Sequence, residues 1–371
     1  MPHPKPDVRY QHTDNSAASM PTFVTKDGVT KGNVTHPTTR WASTKNPLQL
    51  ITTGWGLLTT PRRIALVSAL TCIFAGLFLF LNVQGSWSYA LNRRLWMLLT
   101  IGIVGVSAGV ATVLFHTITH NRILTPAVMG FESLYLLIQT ALVFSLGSDF
   151  NWFDSRVLRF SAEALMMLGF VMLLYRGLFH RNQDLHRLLL VGIVFGVLFA
   201  SIANLLQRIL EPAEFDVLQG RLFARLTLPD SSLVLICLAL LTVLGVVVWR
   251  HRYLFDVLAL GPTNATTLGV DQRRAVNLIL LIVSVLVAIS TALIGPLTFL
   301  GFLAATLAYQ LLQTHQHRWL LPMAALLGCL FLLVGQVTLE HLLGMAGVLT
   351  VVIEFIGGAL FLFILLRKGR L

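Results

Sequence analysis

Residues 275–317 read AVNLILLIVSVLVAISTALIGPLTFLGFLAATLAYQLLQTHQH and contain no Asp, Glu, Lys or Arg. A helix needs about 20 predominantly apolar residues to cross the hydrocarbon core of a bilayer. This stretch is therefore long enough for two crossings. Gly295-Pro296 is the natural break between them, because proline cannot continue the interior of a helix. The stretch predicts two transmembrane helices, near 275–294 and 297–313.

The rest of the chain has the same character. Of its 371 residues, 56% are hydrophobic and 12% are charged, whereas a soluble domain carries about 25% charged residues. Such a chain needs lipid around it. Eight further apolar runs are candidate crossings, at residues 64–83, 95–115, 128–147, 160–175, 188–207, 231–249, 319–339 and 348–366. The sequence therefore predicts an all-α polytopic membrane protein with about ten transmembrane helices.

The chain has a net charge of +11, but its basic residues do not point to nucleic acid. They lie in short groups between the apolar runs, whereas a nucleic-acid site gathers them into one patch or stripe. If the N-terminus lies inside, the inner segments hold 20 of the 27 Lys and Arg residues. This bias follows the positive-inside rule. It predicts that both termini are cytoplasmic, and no nucleic-acid partner is expected.

The N-terminal segment, residues 1–62, differs from the rest. It has no apolar run, and it holds seven of the chain's thirteen prolines together with many Ser and Thr residues. Such a composition cannot bury enough surface to offset the entropy of ordering. We expect a disordered cytoplasmic tail that is not a signal peptide, followed by a transmembrane domain at 63–371.

The longest predicted inner loop, residues 250–274, reads RHRYLFDVLALGPTNATTLGVDQRR. An apolar helical piece at 253–260 is followed by a turn at Gly261-Pro262 and by a second short piece that ends at Gly269. A simple connection could be far shorter. The loop is therefore predicted to present a surface to a cytoplasmic partner, and the alternative is a helix that lies on lipid headgroups.

Three carboxylates, Glu132, Glu163 and Glu354, lie in or near apolar runs. Charged groups at membrane depth are costly and usually face a bundle interior or a water-filled path. Glu354 is nearest to the middle of its run and is followed by Gly357-Gly358. Glu354, Gly357 and Gly358 are therefore predicted to line a translocation path or to pack helices. In an ion-driven carrier, Glu354 would be the ion-binding group.

Two GxxxG pairs, Gly105/Gly109 and Gly192/Gly196, lie inside apolar runs. Glycines at this spacing let two helices approach closely. We interpret both pairs as sites of helix packing rather than as binding sites.

Several kinds of chemistry are absent from the sequence. It contains no GxxxxGK[ST] phosphate loop, so the chain is not expected to bind and cleave ATP in the usual way. No Ser-His-Asp arrangement or carboxylate pair is placed for catalysis. No cofactor is predicted, and no metal site, because the histidine pairs lack a third ligand. The chain is therefore expected to be a transport subunit and not an enzyme.

Four segments carry a family resemblance, and their order and spacing agree over residues 62–371. They are NRILTP at 121–126 with Gly130, which is similar to RNPLA-P--LG; 259–270, which is similar to LG----A--LGV; GPLTFLG at 295–301, which is similar to GPI-FVGL; and His317-Arg318 with 320–322, which is similar to DHR-LLP. These segments resemble the FecCD-type permeases, the membrane subunits of ATP-binding-cassette (ABC) importers for iron–siderophores, haem and vitamin B12.

The resemblance implies the type II importer architecture in a bacterial inner (cytoplasmic) membrane. Two permease subunits, identical or homologous, would surround one path. Cytoplasmic ABC ATPase subunits would dock beneath, and a periplasmic or extracellular binding protein would deliver cargo. The loop at 250–274 would be the coupling loop. Its ATPase-coupling residues would be Leu260, Gly261, Ala265, Thr267, Leu268, Gly269 and Val270.

The chain also departs from the family pattern. Residues 304–309 read AATLAY where the family usually has Pro-His and then Arg, the aspartate before His317 is absent, and GMAG at 344–347 replaces an acidic turn. These departures resemble the branch for catecholate-type iron–siderophores. We therefore expect a permease subunit that moves a ferric chelate inward by alternating access, driven by a separate ATPase. The alternatives are an ion-coupled carrier that uses Glu354 and a membrane-embedded enzyme.

Overall fold

The computed structural model describes residues 59–81, 86–147, 156–179, 185–222, 230–342 and 348–368, all within one compact unit, Leu48–Leu371. In this part of the chain there are thirteen α-helices and one 3-10 helix. They are α1 (Thr60–Phe80), α2 (Trp87–Thr119), the 3-10 helix Pro126–Met129, α3 (Phe131–Leu146), α4 (Arg156–Phe179), α5 (Leu185–Ile209), α6 (Pro212–Leu222), α7 (Ser231–Arg250), α8 (Arg252–Leu258), α9 (Pro262–Thr267), α10 (Gln272–Ile294), α11 (Thr298–Leu312), α12 (His317–His341) and α13 (Leu349–Lys368).

Each of the ten predicted apolar runs coincides with one of these helices. Within the described residues, six helices are long and apolar enough to cross a membrane, namely α1, α2, α5, α7, α10 and α12. The other four contain shorter apolar helical segments, at Phe131–Ser145, Phe160–Phe170, Thr298–Leu312 and Leu349–Ala359. The prediction of an all-helical polytopic membrane protein is confirmed. The predicted tail at 1–62 lies almost wholly outside the described residues.

The break predicted inside the long uncharged stretch is confirmed. Helix α10 ends at Ile294, and Gly295 has φ 89° and ψ −175°, a conformation that is essentially restricted to glycine. The N–H of Gly295 donates a hydrogen bond to the carbonyl of Thr291 at 2.7 Å. Helix α11 begins three residues later at Thr298, so two helices form where one would otherwise continue.

A central pair of helices, α2 and α12, is in contact through its backbones. A methyl group on Gly105 would overlap the backbone of Cys329, and one on Gly109 would overlap the carbonyl of Ala324. Gly328 likewise faces the backbone of Gly105. The first GxxxG pair therefore serves helix packing, as predicted.

The second GxxxG pair packs against the segment that precedes α3. A methyl group on Gly196 would lie 3.0 Å from the Cα of Gly130, and one on Gly192 would lie 3.3 Å from the Cα of Met129. Gly130 has φ 87°, which permits the sharp turn from the 3-10 helix into α3. Helix α5 is thus held close to the start of α3.

Helix α2 begins at Trp87, eight residues before the second apolar run at 95–115, and therefore includes Arg94. The guanidinium of Arg94 forms an ion pair with Glu340. It also donates hydrogen bonds to the carbonyls of Phe78 and Leu81, each at 2.8 Å. These carbonyls lie at the end of α1, where the last carbonyl groups of a helix have no hydrogen-bond donor within the helix. A paired arginine can therefore lie within α2.

Large apolar faces remain exposed on the outer helices. On α5 and α7, side chains that are at least 60% exposed include Leu190, Val194, Val197, Leu205, Val243 and Val246. Contiguous apolar surface of this kind needs lipid or another protein against it. The central helices α2, α10 and α12 are buried over most of their length by contrast.

Candidate functional site

The loop between α7 and α10 has the shape that the sequence predicts, two short helices with a sharp corner. Helix α8 and helix α9 are joined at Gly261, which has φ 97° and ψ 162°. Only glycine adopts this conformation readily. Proline at the first position of α9 then fixes the new helix direction. The Gly261-Pro262 pair therefore accounts for the sharp corner between α8 and α9.

The loop has an exposed tip and a buried base. Leu260 and Leu268 are 57% and 63% exposed, and both lie at this tip. Of the other residues predicted for coupling, Thr267 and Gly269 are exposed, Gly261 and Val270 are half-buried, and Ala265 is buried. Burial of Phe255, Leu258 and Ala265 anchors the loop. The loop therefore presents apolar groups on a fixed support.

A hydrogen-bonded chain joins the loop to two central helices. The carboxylate of Asp256 in α8 accepts a hydrogen bond from the backbone N–H of His317 at 2.7 Å. The same oxygen lies 2.7 Å from Nδ1 of the His317 ring. The other ring nitrogen, Nε2, lies 2.7 Å from Oγ1 of Thr117 in α2. His317 is only 1% exposed, so its ring is shielded from water, whereas the side chain of Asp256 is 29% exposed.

Asp256 also completes the start of α12. The residue at the cap position, Gln316, makes no side-chain hydrogen bond to the first turn. The first N–H groups of a helix have no partner within the helix, and negative charge there is stabilising. The family motif has an aspartate just before the histidine, and that aspartate is absent here. A carboxylate from α8 acts on the N–H of His317 instead.

The turn between α2 and the 3-10 helix is held against α11. The guanidinium of Arg122 lies 4.5 Å from the ring centroid of Tyr309. One of its nitrogens lies 3.2 Å from Nδ1 of His315. Cation–π contacts of this kind contribute about 0.5–1 kcal/mol at exposed sites. The turn that carries the NRILTP segment is thereby joined to the end of α11 and to the residues that follow it.

A small polar cavity lies where two helices begin. The hydroxyl of Thr298, at the start of α11, donates a hydrogen bond to the carboxylate of Glu132, at the start of α3, at 2.6 Å. The cavity has a volume of about 30 Å³, and further hydroxyls in its lining come from Thr112, Thr125 and Ser290. A water molecule needs roughly 10–15 Å³ of such space. The site therefore has room for about two water molecules.

The three residues predicted for the translocation path lie on α13. Glu354 is half-buried and close enough to Glu132 for the two carboxyl groups to interact electrostatically. A methyl group on Gly357 would lie 2.6 Å from Cβ of Phe299, whereas one on Gly358 would meet no neighbour within 4 Å. Gly357 therefore brings α13 against α11. The role of Glu354 in a path stays a prediction.

Comparison with known proteins identifies the family. The model of the FecCD transport family matches residues 50–367, which include every helix described above except the last residue of α13. The chain belongs to the FecCD transport family. It is therefore a multi-pass membrane permease, as the four sequence segments indicated.

Two relatives of this FecCD chain are similar over most of its length. The petrobactin import system permease protein YclO of Bacillus subtilis (strain 168) is 37% identical over 309 residues, covering 83% of this chain and 98% of the relative. The petrobactin import system permease protein FatC of Bacillus anthracis is 38% identical over 285 residues, covering 76% of this chain and 79% of the relative.

The fold of the FecCD chain is also that of a solved transporter. A structure described as an inward-facing conformation of a metal-chelate type ABC transporter superposes with a TM-score of 0.73. The sequences are 20% identical, and the match covers 83% of this chain and all of that one. The likeness supports the importer-permease architecture that the sequence predicts.

Two contacts of this FecCD chain were missed at the level of sequence. Asp256 is the one acidic residue between Arg250 and Val270, and a lone carboxylate in an apolar helix was a usable signal. Its partner His317 is 61 positions away, and nothing local points to it. The pairing of Glu132 with Thr298 spans 166 positions and has no local signal either.

Proposed function

We propose that this chain is the transmembrane permease subunit of an ABC importer that carries a ferric siderophore into a bacterial cytoplasm. The observation that carries the proposal is the FecCD match over residues 50–367. The curated relatives YclO and FatC are named as petrobactin import permeases, which makes a petrobactin-like ferric chelate the cargo to test first. The bacterial inner membrane is its proposed location.

The energy would come from a separate ATPase subunit that docks on the coupling loop. The exposed side chains of Leu260 and Leu268 suit an apolar contact with such a partner, and Thr267 and Gly269 lie exposed beside them. The buried Ala265 and the positive φ of Gly261 and Gly269 hold the tip in shape. A second permease subunit and an external binding protein would complete the importer.

Movement of the loop would reach the bundle through the chain Asp256–His317–Thr117. Its three links are each 2.7 Å long. The link between His317 and Thr117 is buried, and the two links to Asp256 are part-buried, so they are stronger than fully exposed contacts would be. Pulling on α8 would therefore move the cytoplasmic ends of α2 and α12. Alternating access would follow from tilting of these helices around the path.

The polar cavity at Glu132 and Thr298 would form part of the wall of the translocation path inside the bundle. Irregular backbone at membrane depth is tolerated where it is buried in protein or lines a cavity. Both the segment before α3 and the break before α11 are irregular and meet at this cavity. Glu354 on α13 would extend the same polar region.

The test is uptake of ferric petrobactin by proteoliposomes that contain this chain, a second permease subunit and the ABC ATPase. Gly269→Arg places a long charged side chain at the exposed tip and is expected to reduce ATPase binding and uptake at least tenfold. Gly269→Asn should preserve both activities, because asparagine tolerates the left-handed conformation. Gly220→Arg on α6, where a methyl group would meet no neighbour within 4 Å, is the matched control.

Full uptake by Gly269→Arg, or failure of the unchanged protein to bind an ATPase, would contradict the proposal. The second candidate, an ion-coupled carrier, is favoured by the half-buried Glu354, whose carboxyl group lies within electrostatic range of Glu132. It requires uptake in vesicles without ATP that is abolished by Glu354→Gln.

A further inference from the structure

An open groove lies where α7 meets α8, at the end of the bundle that carries the coupling loop. Its lining includes Trp249, Arg250, Arg252 and Tyr253, together with Gly245 one turn earlier on α7. Trp249 and Tyr253 are 47% and 61% exposed. Aromatic residues of this kind concentrate at membrane–water interfaces, where one end of the ring is apolar and the other is wet.

The groove continues into an apolar slot between four helices. Gly245 and Trp249 line both spaces, and the slot is walled by residues of α2, α10 and α12 that include Val106, Leu286 and Pro322. Its volume is about 180 Å³ and its lining is almost entirely apolar. Small-molecule sites usually measure about 300–1,000 Å³. The slot therefore suits a narrow hydrocarbon chain better than a compact polar ligand.

The positive charges of the two arginines in the groove are not neutralised by acidic side chains of the described residues. The guanidinium of Arg252 lies 4.7 Å from the ring centroid of Trp249 and 4.5 Å from that of Tyr253. It donates hydrogen bonds to the carbonyl of Trp249 at 2.9 Å and to the hydroxyl of Tyr253 at 3.1 Å. Its Nε is buried and has no hydrogen-bond partner among the described residues. In the same part of the chain, neither Arg252 nor Arg250 forms an ion pair.

The position of the groove selects the class of ligand. Arg250 is the last residue of the membrane-crossing helix α7, on the side that the distribution of basic residues assigns to the cytoplasm. The cytoplasmic leaflet carries anionic lipid, and basic pockets between transmembrane helices on that side bind anionic headgroups. A basic, aromatic groove that runs into an apolar slot between spans matches a molecule with an anionic head and a hydrocarbon tail.

We propose that the groove and the slot form a binding site for an anionic phospholipid of the cytoplasmic leaflet. Its phosphate lies at Arg250 and Arg252, and one acyl chain enters the slot beside Gly245. Bound there, the lipid joins α7 to α2, α10 and α12 immediately before the coupling loop begins. The site does not depend on which cargo the permease carries.

The experiment measures lipid binding to the purified full chain in detergent micelles by native mass spectrometry, with phosphatidylglycerol and phosphatidylcholine of equal chain length as probes. Phosphatidylglycerol is expected to bind at least tenfold more tightly than phosphatidylcholine. The double variant Arg250→Gln/Arg252→Gln should lose about 30-fold in affinity for phosphatidylglycerol, which corresponds to about 1 kcal/mol for each arginine near the membrane surface.

Two further variants separate the headgroup site from the slot. Arg273→Gln/Arg274→Gln removes two exposed arginines at the other end of the loop and should leave phosphatidylglycerol binding unchanged. Gly245→Leu projects a larger side chain where a methyl group would meet no neighbour within 4 Å. It should weaken binding of both phospholipids and leave binding of the water-soluble headgroup, glycerophosphoglycerol, unchanged.

Equal binding of the two lipids to the unchanged protein would overturn the proposal. So would equal losses in both arginine double variants, which would indicate a general charge effect. If Arg250→Gln/Arg252→Gln abolished ATPase binding while lipid binding stayed intact, the groove would be a protein contact instead. Retained folding of each variant is checked by its thermal unfolding midpoint.

Discussion

The carboxylate of Asp256 lies 2.7 Å from both the backbone nitrogen and the ring Nδ1 of His317. This single oxygen connects α8, in the loop at 250–274, to the first residue of a membrane-crossing helix. Because the far side of the His317 ring contacts Thr117, the connection reaches α2 as well. Asp256 thus links the loop to α12 and α2 through hydrogen bonds, in addition to the packing of its apolar residues.

Removal of this connection should uncouple the importer. We expect Asp256→Ala to lower uptake per ATP hydrolysed several-fold, because a shift of α8 would no longer pull on α12, while ATPase binding at the exposed tip is kept. The measurement is uptake and hydrolysis in the same proteoliposomes. Asp271→Ala is the control, since Asp271 is exposed and pairs with Arg274 in the first turn of α10. Equal effects of the two substitutions would contradict this role.

The corner between α8 and α9 should tolerate only glycine. Gly261→Ala is expected to cost on the order of 1–3 kcal/mol, because φ 97° with ψ 162° is strained for any other residue. This cost is measured as the difference in the free energy of unfolding between the variant and the unchanged protein in mild detergent. Gly76→Ala in α1, where a methyl group meets no neighbour within 4 Å, should instead be neutral or stabilising, since alanine favours the helix. A Gly261→Ala protein of unchanged stability would refute the assignment.

Close packing of α2 against α12 gives a test within one helix. Gly105→Ala should destabilise the protein by about 1–3 kcal/mol, because the added methyl group overlaps the backbone of Cys329 and forces the helices apart. Gly102→Ala, three residues earlier, has free space around it and should not lower the thermal unfolding midpoint. The expectation fails if the two variants unfold at the same temperature.

The hydrogen bond inside the polar cavity should matter for stability. Thr298→Val keeps the shape of the side chain but leaves the carboxyl group of Glu132 without its hydroxyl donor, at a cost of about 1–3 kcal/mol. Thr298→Ser retains the donor and should lose much less. Chemical or thermal unfolding of the three proteins in the same detergent compares them, and similar losses for valine and serine would exclude the hydrogen bond as the cause.

Much of this fold could be predicted from the sequence, because lipid imposes a simple rule on helix length and polarity. The runs near 231–249 and 275–294 match α7 and α10 within three residues at each end. The break at Gly295 and the corner at Gly261 were predictable for a local reason, since each is a glycine beside a proline. Backbone geometry at such positions is decided by adjacent residues.

Contacts between distant segments could not be predicted in this way. The pairing of Arg94 with Glu340 left no signal in the sequence, because the two residues are 246 positions apart and only the folded bundle brings them together. The same holds for Asp256 with His317 and for Glu132 with Thr298. Side chains that pair across the bundle leave no periodic signal in either segment.

The contact of Gly105 with Gly328 has a consequence for how the transporter moves. Where two helices touch without side chains between them, no rotamer change can absorb sliding of one past the other. We therefore expect α2 and α12 to move as one rigid body. The imidazole of His317, at one end of the pair, would transmit the movement to them. A short disulfide crosslink engineered between α2 and α12, away from this glycine contact, should leave the transport cycle intact. If the two helices slid past each other instead, the crosslink would inhibit transport.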